Sequence, residues 1–347
     1  MKFVIQTKMV GVTNQICRSR KECETKMTTY AAVVGSFDRP PHYEPFELPA
    51  PADPDQVEVE VLAAGLHPRV RTDAAGRHYT STGRLPMVPG IDGVGRLPDG
   101  RVVYFVADDD FPGSMAQRAV IDVRRSIELP AGSDVVKIAA AMNPAMSSWV
   151  ALRRRVPIQP GQSVLVLGAT GNAGQMAVQV AKRLGAGCVV GAGRDLERLD
   201  RLADLGADAT VPLTDDREAT DGALADAAAD VDIVVDYVWG RPASDAMPAL
   251  VRGRTDRSRA LDWIQIGSMA GPTIELPSVA LRAANLRIQG NGQGAVSTRG
   301  YLAELPSLID EINAGGIAVS ARTAALADVE SVWGATEPSG VRTVLVP

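Results

Sequence analysis

The sequence predicts an α/β protein in which an all-β region precedes a parallel, doubly wound sheet. Two observations predict this fold class. Short strands and proline-rich turns alternate from Tyr30 to Val123, whereas apolar strands alternate with segments of helical composition after Lys137. Alternation of the second kind places helices on both faces of a parallel sheet. A chain of 347 residues is long enough for both regions to have their own core.

The all-β region shows its pattern most clearly over residues 56–62, where the sequence is QVEVEVL. The valines fall on one face of this segment and the glutamates on the other, which is typical of a half-buried strand. Further strands are predicted over 30–34, 101–106 and 117–123. So many short strands separated by turns favour a barrel-like arrangement.

The second region begins with a largely helical segment over 136–152, which Pro144 is expected to interrupt. Hydrophobic patterning then predicts strands and helices in alternation. The strands are predicted over 164–168, 188–192, 209–212, 232–236, 262–267 and 286–290, and the helices around 174–184, 195–205, 217–229 and 243–252. A helix over 306–314 and a strand over 342–346 close the chain.

Residues 164–186, VLVLGATGNAGQMAVQVAKRLGA, carry the strongest functional signal. A valine-rich strand runs into glycines at three-residue spacing, and an amphipathic helix follows. Bare amides and the helix dipole favour an anion there, and the missing side chains let the backbone approach it. The turn is therefore predicted to bind a dinucleotide pyrophosphate, and a tight turn without a ligand is the alternative. The residues predicted to contact the dinucleotide are Gly168, Ala169, Thr170, Gly171, Asn172, Ala173 and Gly174.

Composition narrows the possible partners and location. The net charge is −5 and no basic stripe is present, so nucleic acid is not expected as a partner. No uninterrupted apolar stretch approaches the roughly 18 residues that a membrane span needs. Cys188 is the one cysteine after residue 26, which leaves no disulfide framework or four-cysteine zinc lobe and favours a cytoplasmic location.

The first 26 residues differ from the rest of the chain. They contain four of the six lysines and two of the three cysteines. Met27 then begins MTTYAAVVGSF, which has the pattern of a natural start followed by a strand. Residues 1–26 are therefore expected to be a leader or upstream extension outside the fold, with a targeting peptide as the alternative.

Five stretches occur in an order that resembles one protein family. They are AAGLHPRVRTDAAG (63–76), LPMVPGIDGVG (85–95), QPGQSVLVLGATGNAG (159–174), DIVVDYVWG (232–240) and IQIGSMAG (264–271). Together they resemble the quinone oxidoreductase-like branch of the medium-chain dehydrogenase/reductase superfamily over nearly all of residues 27–347. The resemblance implies a GroES-like β-barrel catalytic domain over 27–148 and 300–347, and a Rossmann cofactor domain over 149–299. It also implies a homodimer, because the family strand that corresponds to 286–289 pairs with its twin.

The resemblance departs from the zinc-dependent members at the metal ligands. Where those members carry a cysteine and an aspartate, this chain has His67 and Val70. Where they carry a His-Glu pair, it has Ile91 and Asp92. A lone histidine and a lone carboxylate do not make a three-ligand catalytic zinc site, so no metal is expected.

The residues after the second strand of the predicted parallel sheet favour NADPH over NADH. A carboxylate at that place binds the ribose hydroxyls of NADH, whereas arginine binds the 2′-phosphate of NADPH. The strand end, residues 191–193, carries no carboxylate, and Arg194 follows Gly193 directly. Arg198 lies one helical turn later on the same side. Asp195 would favour NADH if the turn were shifted by one residue. Solvated helix charges are the other interpretation of the two arginines.

The resemblance also implies the residues of the reaction site. His67 takes the place of an asparagine beside the nicotinamide, where it would donate a hydrogen bond or a proton to a carbonyl oxygen. Tyr79 resembles the tyrosine of the family's Gly-x-Tyr loop, with one extra residue between. A structural loop histidine and a tyrosine that packs the cleft wall are the alternatives. Further cofactor contacts are implied for Asn143, Ser147, Tyr237, Val238, Gly267, Ser268 and Asn291, with helix capping as the alternative for the first two.

These residues together predict a zinc-independent, NADPH-dependent oxidoreductase that transfers hydride to a quinone or an α,β-unsaturated carbonyl compound. A reductase of saturated aldehydes or ketones is the enzymatic alternative, and it would depend more on His67 or Tyr79 for the proton. A protein that binds NADPH without turnover, as a sensor or a structural protein, is the alternative from another class.

Overall fold

The computed structural model describes residues 27–108, 111–335 and 340–347, so the leader predicted over 1–26 lies outside the described residues. A hairpin and two larger sheets hold the strands of this part of the chain. In chain order the strands are β1 Met27–Val33, β2 His42–Leu48, β3 Gln56–Gly65, β4 Asp92–Arg96, β5 Val102–Val106, β6 Arg118–Asp122, β7 Ser126–Glu128, β8 Ser163–Leu167, β9 Cys188–Gly193, β10 Ala209–Pro212, β11 Ile233–Asp236, β12 Leu261–Gln265, β13 Leu286–Gly290, β14 Ser320–Ala325 and β15 Val341–Val346. The α-helices are α1 Pro68–Ala74, α2 Val135–Val150, α3 Asn172–Arg183, α4 Leu196–Asp200, α5 Arg217–Ala228, α6 Gly240–Gly253, α7 Ser278–Ala283, α8 Thr298–Leu302, α9 Leu305–Asn313 and α10 Val329–Trp333.

The parallel sheet has the strand order β10-β9-β8-β11-β12-β13. Along β8, Val164 and Val166 pack in an apolar cluster with α2, α3 and α9, whereas Leu165 and Leu167 pack in a second cluster with α5 and α6. Helices therefore cover both faces, which confirms the doubly wound fold that the alternation predicted. Each predicted strand of this sheet lies within two residues of its observed bounds. The strand order reverses between β8 and β11, and that reversal opens a crevice at the carboxyl ends of the strands.

The mixed sheet joins strands from both ends of the chain in the order β14-β15-β3-β4-β5-β7, with β6 paired to β3. The hairpin β1-β2 is attached to it through isolated bridges, Ala31 to Ala116 and Val34 to Met87. The predicted strand over 56–62 forms the middle of this region, with Val59 and Val61 buried and Glu60 exposed. The pairings between described strands do not close into a complete ring.

Helix α2 corrects one expectation, because it runs unbroken through Pro144. The proline removes one backbone hydrogen bond, but the residues around it are buried on nearly every side and hold the helix together. The helix continues into a π-helical turn, Ala151–Arg155. Among the described residues, Val135–Arg155 is the one helix long and apolar enough to cross a membrane, yet 72% of its apolar window is buried inside the fold. That burial is the property of a core helix.

Candidate active site

The glycine turn between β8 and α3 is tight where it packs and open where it faces the crevice. Gly168 has a φ of +86°, which favours glycine. A Cβ atom at Gly174 would lie 2.6 Å from the Cα atom of Ala169 and even closer to the carbonyl oxygen of Gly168. At Gly171, a Cβ atom would meet only that oxygen, at 3.5 Å. Because Gly171 also caps α3 without a side chain, the first amides of the helix stay available to an anion.

A cleft of about 1160 Å³ opens over this turn. It brings together most of the predicted cofactor residues: Asn143, Ser147, Gly168, Thr170, Gly171, Asn172, Ala173, Gly174, Gly193, Arg194, Arg198, Tyr237, Val238 and Gly267 all line it. His67 lines it as well, from the side of the mixed sheet. Three predicted residues do not line the cleft: Ala169 and Asn291 are buried behind the lining, whereas Ser268 is exposed next to Gly267.

Asn291 and Tyr237 fix the inner end of the cleft through Ser147. The Asn291 amide donates to the carbonyl oxygen of Ser147 (2.9 Å), and the hydroxyl of Tyr237 lies 2.9 Å from the hydroxyl of Ser147. Burial raises the pKa of Tyr237 to about 12, so this hydroxyl keeps its proton. The buried carboxylate of Asp236 accepts from the amides of Val238 and Trp239 and holds the loop that carries Tyr237.

The two predicted arginines of the cleft differ in their hydrogen bonds and ion pairs. Arg198 donates to the carbonyl oxygen of Thr170 (3.1 Å) and lies 3.0 Å from the carboxylate of Asp195. Asp195 also caps α4 by accepting from the amide of Arg198. Arg194 is exposed, lines the cleft, and its guanidinium has no ion pair or hydrogen bond with the described residues. Arg194 is therefore free to bind an anion, whereas Asp195 is already engaged.

Arg71 is a further arginine of the cleft, and the sequence analysis missed it. Its Nε and Nη2 atoms are buried and find no hydrogen-bond partner among the residues that the structure describes. Arg71 lies on α1, one helical turn after His67, and lines the same cleft as the glycine turn. A buried guanidinium without a counter-ion is costly unless a ligand supplies the negative charge. Its signal in the sequence is weak, because the chain contains 30 arginines.

A second cavity, of about 320 Å³, adjoins the cleft and has a mixed lining. Its apolar residues include Phe46, Met87, Val88, Ile91, Val106, Phe111, Met146 and Leu302. The charged side chains that line it are Arg69, Asp73, Arg84, Asp92, Asp108 and Arg125, and its two tyrosines are Tyr104 and Tyr301. Arg69 and Asn143 line both the cavity and the cleft, so they mark the place where the two spaces meet.

The two residues predicted to be catalytic lie at the edges of this cavity and do not line it. His67 is 2% exposed, and its Nε2 atom lies 3.3 Å from a carboxylate oxygen of Asp92. Tyr79 is 73% exposed, and its hydroxyl accepts from the amide of Gln293 (3.1 Å). Their roles in turnover stay predictions. Sequence reasoning missed Arg69, Tyr104 and Tyr301, which come from a short helix, a strand and a second short helix without any local motif.

Comparison with known proteins gives these features a family. The sequence model of the family described as zinc-binding dehydrogenase matches residues 173–255. "Probable NADPH-dependent quinone reductase tdiC" of Emericella nidulans is 31% identical, over 92% of this chain and 100% of its own length. The trans-enoyl reductase pgmF of Aspergillus terreus is 27% identical, over 46% of this chain and 49% of its own length.

The solved structure of the quinone oxidoreductase from Thermus thermophilus shares the fold, with a TM-score of 0.74 and 24% identity over 92% of this chain and 100% of that one. The chain belongs to the medium-chain dehydrogenase/reductase superfamily, in its quinone oxidoreductase-like branch. This confirms the resemblance that the ordered motifs implied.

The catalytic zinc of some superfamily members does not fit the residues of this chain. His67 and Asp92 stand where such members carry metal ligands, but here they face each other across 3.3 Å. The hydroxyl of Tyr104 donates to the second oxygen of Asp92 (2.7 Å). Within residues 27–108, 111–335 and 340–347, no group of three His, Cys, Asp or Glu side chains is placed to hold a metal ion. The donors that would bind zinc are thus paired with one another.

Proposed function

We propose that the protein is an NADPH-dependent oxidoreductase that reduces a quinone or an α,β-unsaturated carbonyl compound without zinc. The observation that carries the proposal is the meeting of the glycine-turn cleft with the second cavity at Arg69 and Asn143. A dinucleotide in the cleft and a flat apolar substrate in the cavity would touch at that place. The names of two relatives, a quinone reductase and a trans-enoyl reductase, agree with this substrate class.

The cleft fits NADPH better than NADH. The open side of the glycine turn suits a pyrophosphate, because the backbone there carries no side chain that would keep the anion away. Arg194 offers an unpaired guanidinium at the position of the 2′-phosphate, and Arg198 is one turn away. Asp195, the residue that would favour NADH, is held by Arg198. A relative named as NADPH-dependent supports the same choice.

The reduced nicotinamide supplies a hydride when NADPH is bound. The contribution of the protein is to bind, to orient and to exclude water. Ser147, tied to Tyr237 and Asn291, gives a fixed floor for the nicotinamide end of the cleft. His67, held by Asp92, forms the opposite wall, and we propose that it fixes the ring that donates hydride. Rate enhancement then comes chiefly from positioning of the two reactants.

The two large sheets also support a proposal for the domain division and the oligomeric state of the protein. We propose the domain division of 27–148 with 300–347 as the GroES-like part and 149–299 as the Rossmann part, because the mixed sheet draws its strands from both ends of the chain. Strand β13 lies at the edge of the parallel sheet with Ile288 37% exposed, and pairing with a second copy would cover it. We propose a soluble, cytoplasmic homodimer.

The test is oxidation of NADPH by the full chain after treatment with a chelator, with matched quinones, enones and aldehydes as acceptors and NADH in parallel. Turnover with NADPH and a quinone or an enone is the expected result. His67→Ala should lower kcat while the Kd for NADPH stays unchanged. Tight NADPH binding with no turnover on any acceptor would contradict the proposal and favour a sensor or structural role. Turnover restricted to aldehydes would move the substrate class to saturated carbonyl compounds.

A further inference from the structure

Tyr301 is one of the two tyrosines that line the second cavity, the other being Tyr104. It lies on α8, just after the loop of residues 290–297, and its ring lines the cavity. Its hydroxyl makes no hydrogen bond with the residues that the structure describes. Phenolic hydroxyls in such half-buried positions usually have a hydrogen-bond partner. A ligand bound in the cavity would supply that partner for Tyr301.

The other tyrosines and the histidine near the cavity either donate to a protein group or lie outside its lining. Tyr104 donates its proton to the Asp92 carboxylate, and the Nε2 atom of His67 faces the other oxygen of the same carboxylate. His67 also lies on the cleft side and does not line the cavity. The hydroxyl of Tyr79 accepts from the amide of Gln293, and Tyr79 does not line the cavity. Of the two tyrosines that line the cavity, Tyr301 is the one whose proton has no acceptor among the described residues.

Arg69 gives this phenol a charged neighbour. Its Nη2 atom donates to the side-chain oxygen of Gln293 (2.7 Å), which places the guanidinium beside the loop before α8. Burial is the main influence on Tyr301 and raises its pKa well above the ordinary value, so the hydroxyl is protonated at neutral pH. The charge of Arg69 opposes that rise, whereas Asp92, Tyr237 and Tyr79 add to it. A phenolate formed at Tyr301 would therefore find its nearest stabilising charge at Arg69.

We propose that Tyr301 is the catalytic residue that hydrogen-bonds the substrate oxygen and gives it a proton, with Arg69 stabilising the phenolate that results. The inference rests on the proposed function, because it names the proton donor of that reaction. It assigns to Tyr301 a role for which the sequence carried no signal.

Hydride and proton reach an enone at different atoms. The hydride would come from a C–H bond of NADPH, which would be oxidised to NADP⁺, and it forms a new C–H bond at the β-carbon of the enone. The electron pair of the C=C bond shifts until the carbonyl oxygen carries the negative charge. The O–H bond of Tyr301 breaks and its proton forms the O–H bond of the enol, which leaves a phenolate that water reprotonates. A quinone accepts the same hydride and proton, and it becomes a hydroquinone.

The test compares Tyr301→Phe with the wild type and with Tyr30→Phe, an exposed tyrosine of β1 that serves as the matched control. Tyr301→Phe should lower kcat about a hundredfold with quinone and enone acceptors, which is the size of effect that a positioned acid gives. The Kd for NADPH should stay within about twofold, since the hydroxyl lies outside the cofactor cleft. Tyr30→Phe should behave as the wild type.

A binding measurement adds a readout that does not depend on turnover. The anion of 4-nitrophenol mimics the developing oxyanion, and its absorption shift reports binding in the presence of NADP⁺. Tyr301→Phe should weaken this binding about tenfold, as expected for one hydrogen bond to a charged oxygen. An active wild type with an equally active Tyr301→Phe variant and unchanged nitrophenolate affinity would overturn the role of Tyr301 and leave the proposed function standing. A wild type that reduces neither quinones nor enones would overturn both.

Discussion

The two halves of the site are built in opposite ways. The cofactor half depends on one contiguous run, from β8 through the glycine turn into α3, and on backbone atoms within it. The substrate cavity is assembled from segments as far apart as Phe46 and Leu302, and its chemistry comes from side chains. A local backbone motif can be found in a single sequence, whereas a wall made of distant side chains cannot. Substitutions in each half test this contrast.

Gly174→Ala should produce the largest loss on the cofactor side. The added Cβ atom would lie 2.6 Å from the Cα atom of Ala169, so α3 must move away from the turn. We expect the free energy of unfolding to fall by roughly 1–3 kcal/mol and NADPH binding to become undetectable by titration calorimetry. Gly171→Ala is the control: its Cβ atom meets little protein, so the melting temperature should stay constant while NADPH affinity falls. A Gly174→Ala variant that binds NADPH normally would show that the tight turn is unimportant.

Arg194→Gln should remove the preference for NADPH. Loss of a charge-assisted bond to the 2′-phosphate is expected to weaken NADPH binding roughly 10- to 100-fold. The affinity for NADH should not change, because NADH has no such phosphate. Arg201→Gln, at the other end of α4 and paired with Glu197, is the matched control. Equal weakening of both cofactors by Arg194→Gln would place this arginine elsewhere on the dinucleotide.

Arg71→Gln should weaken both cofactors by the same factor, about tenfold. Its Nε and Nη2 atoms are buried without a partner among the described residues, and Arg71 lines the cleft together with the glycine turn, which would hold the pyrophosphate common to NADPH and NADH. Because the variant also removes an uncompensated buried charge, the free energy of unfolding without cofactor should not decrease. Calorimetric titrations with the two cofactors check the first statement and thermal melts the second. Selective weakening of NADPH alone would contradict the assignment.

Tyr104→Phe should lower the free energy of unfolding through a change in the wall of the substrate cavity. It removes the donor to the buried Asp92 carboxylate, and we expect a loss of roughly 1.5–3 kcal/mol in the free energy of unfolding. Burial, with the charge of Asp92, raises the pKa of Tyr104 well above its ordinary value. The folded state thus holds this proton more tightly, and its contribution to stability is present at neutral pH and lost as pH rises above about 10. Wild-type stability should therefore fall more steeply than that of Tyr104→Phe in alkaline denaturant titrations.

Tyr79→Phe should have the smallest effect. Tyr79 is largely exposed, and among the described residues its hydroxyl accepts from the amide of Gln293, so we expect KM to rise by about twofold at most and kcat to stay unchanged. Steady-state kinetics with the preferred acceptor measure both quantities. A hundredfold fall in kcat would instead support the catalytic role that the resemblance to the family implied for this tyrosine.

The accuracy of the sequence analysis followed this division of the molecule. The strands of the parallel sheet and the turn from Gly168 to Gly174 could be predicted, because period and glycine spacing are local properties. Strand β4, with the sequence DGVGR, was missed because two glycines interrupt its apolar pattern. Pro144 was expected to break a helix that burial holds together. Tyr301 and Arg71 lie on helices whose direction is set only by tertiary packing, so no sequence pattern could place them in the site.

The decisive measurement is a single turnover of the chelator-treated protein with NADPH deuterated at C4 of the nicotinamide, followed by stopped-flow absorbance. With the acceptor that turns over fastest in the panel, we predict that oxidation slows severalfold when one of the two C4 hydrogens is replaced and not when the other is. That result would show direct hydride transfer from one face of a cofactor held in the cleft, without zinc. Equal rates for all labels together with loss of oxidation after chelation would contradict zinc-free hydride transfer.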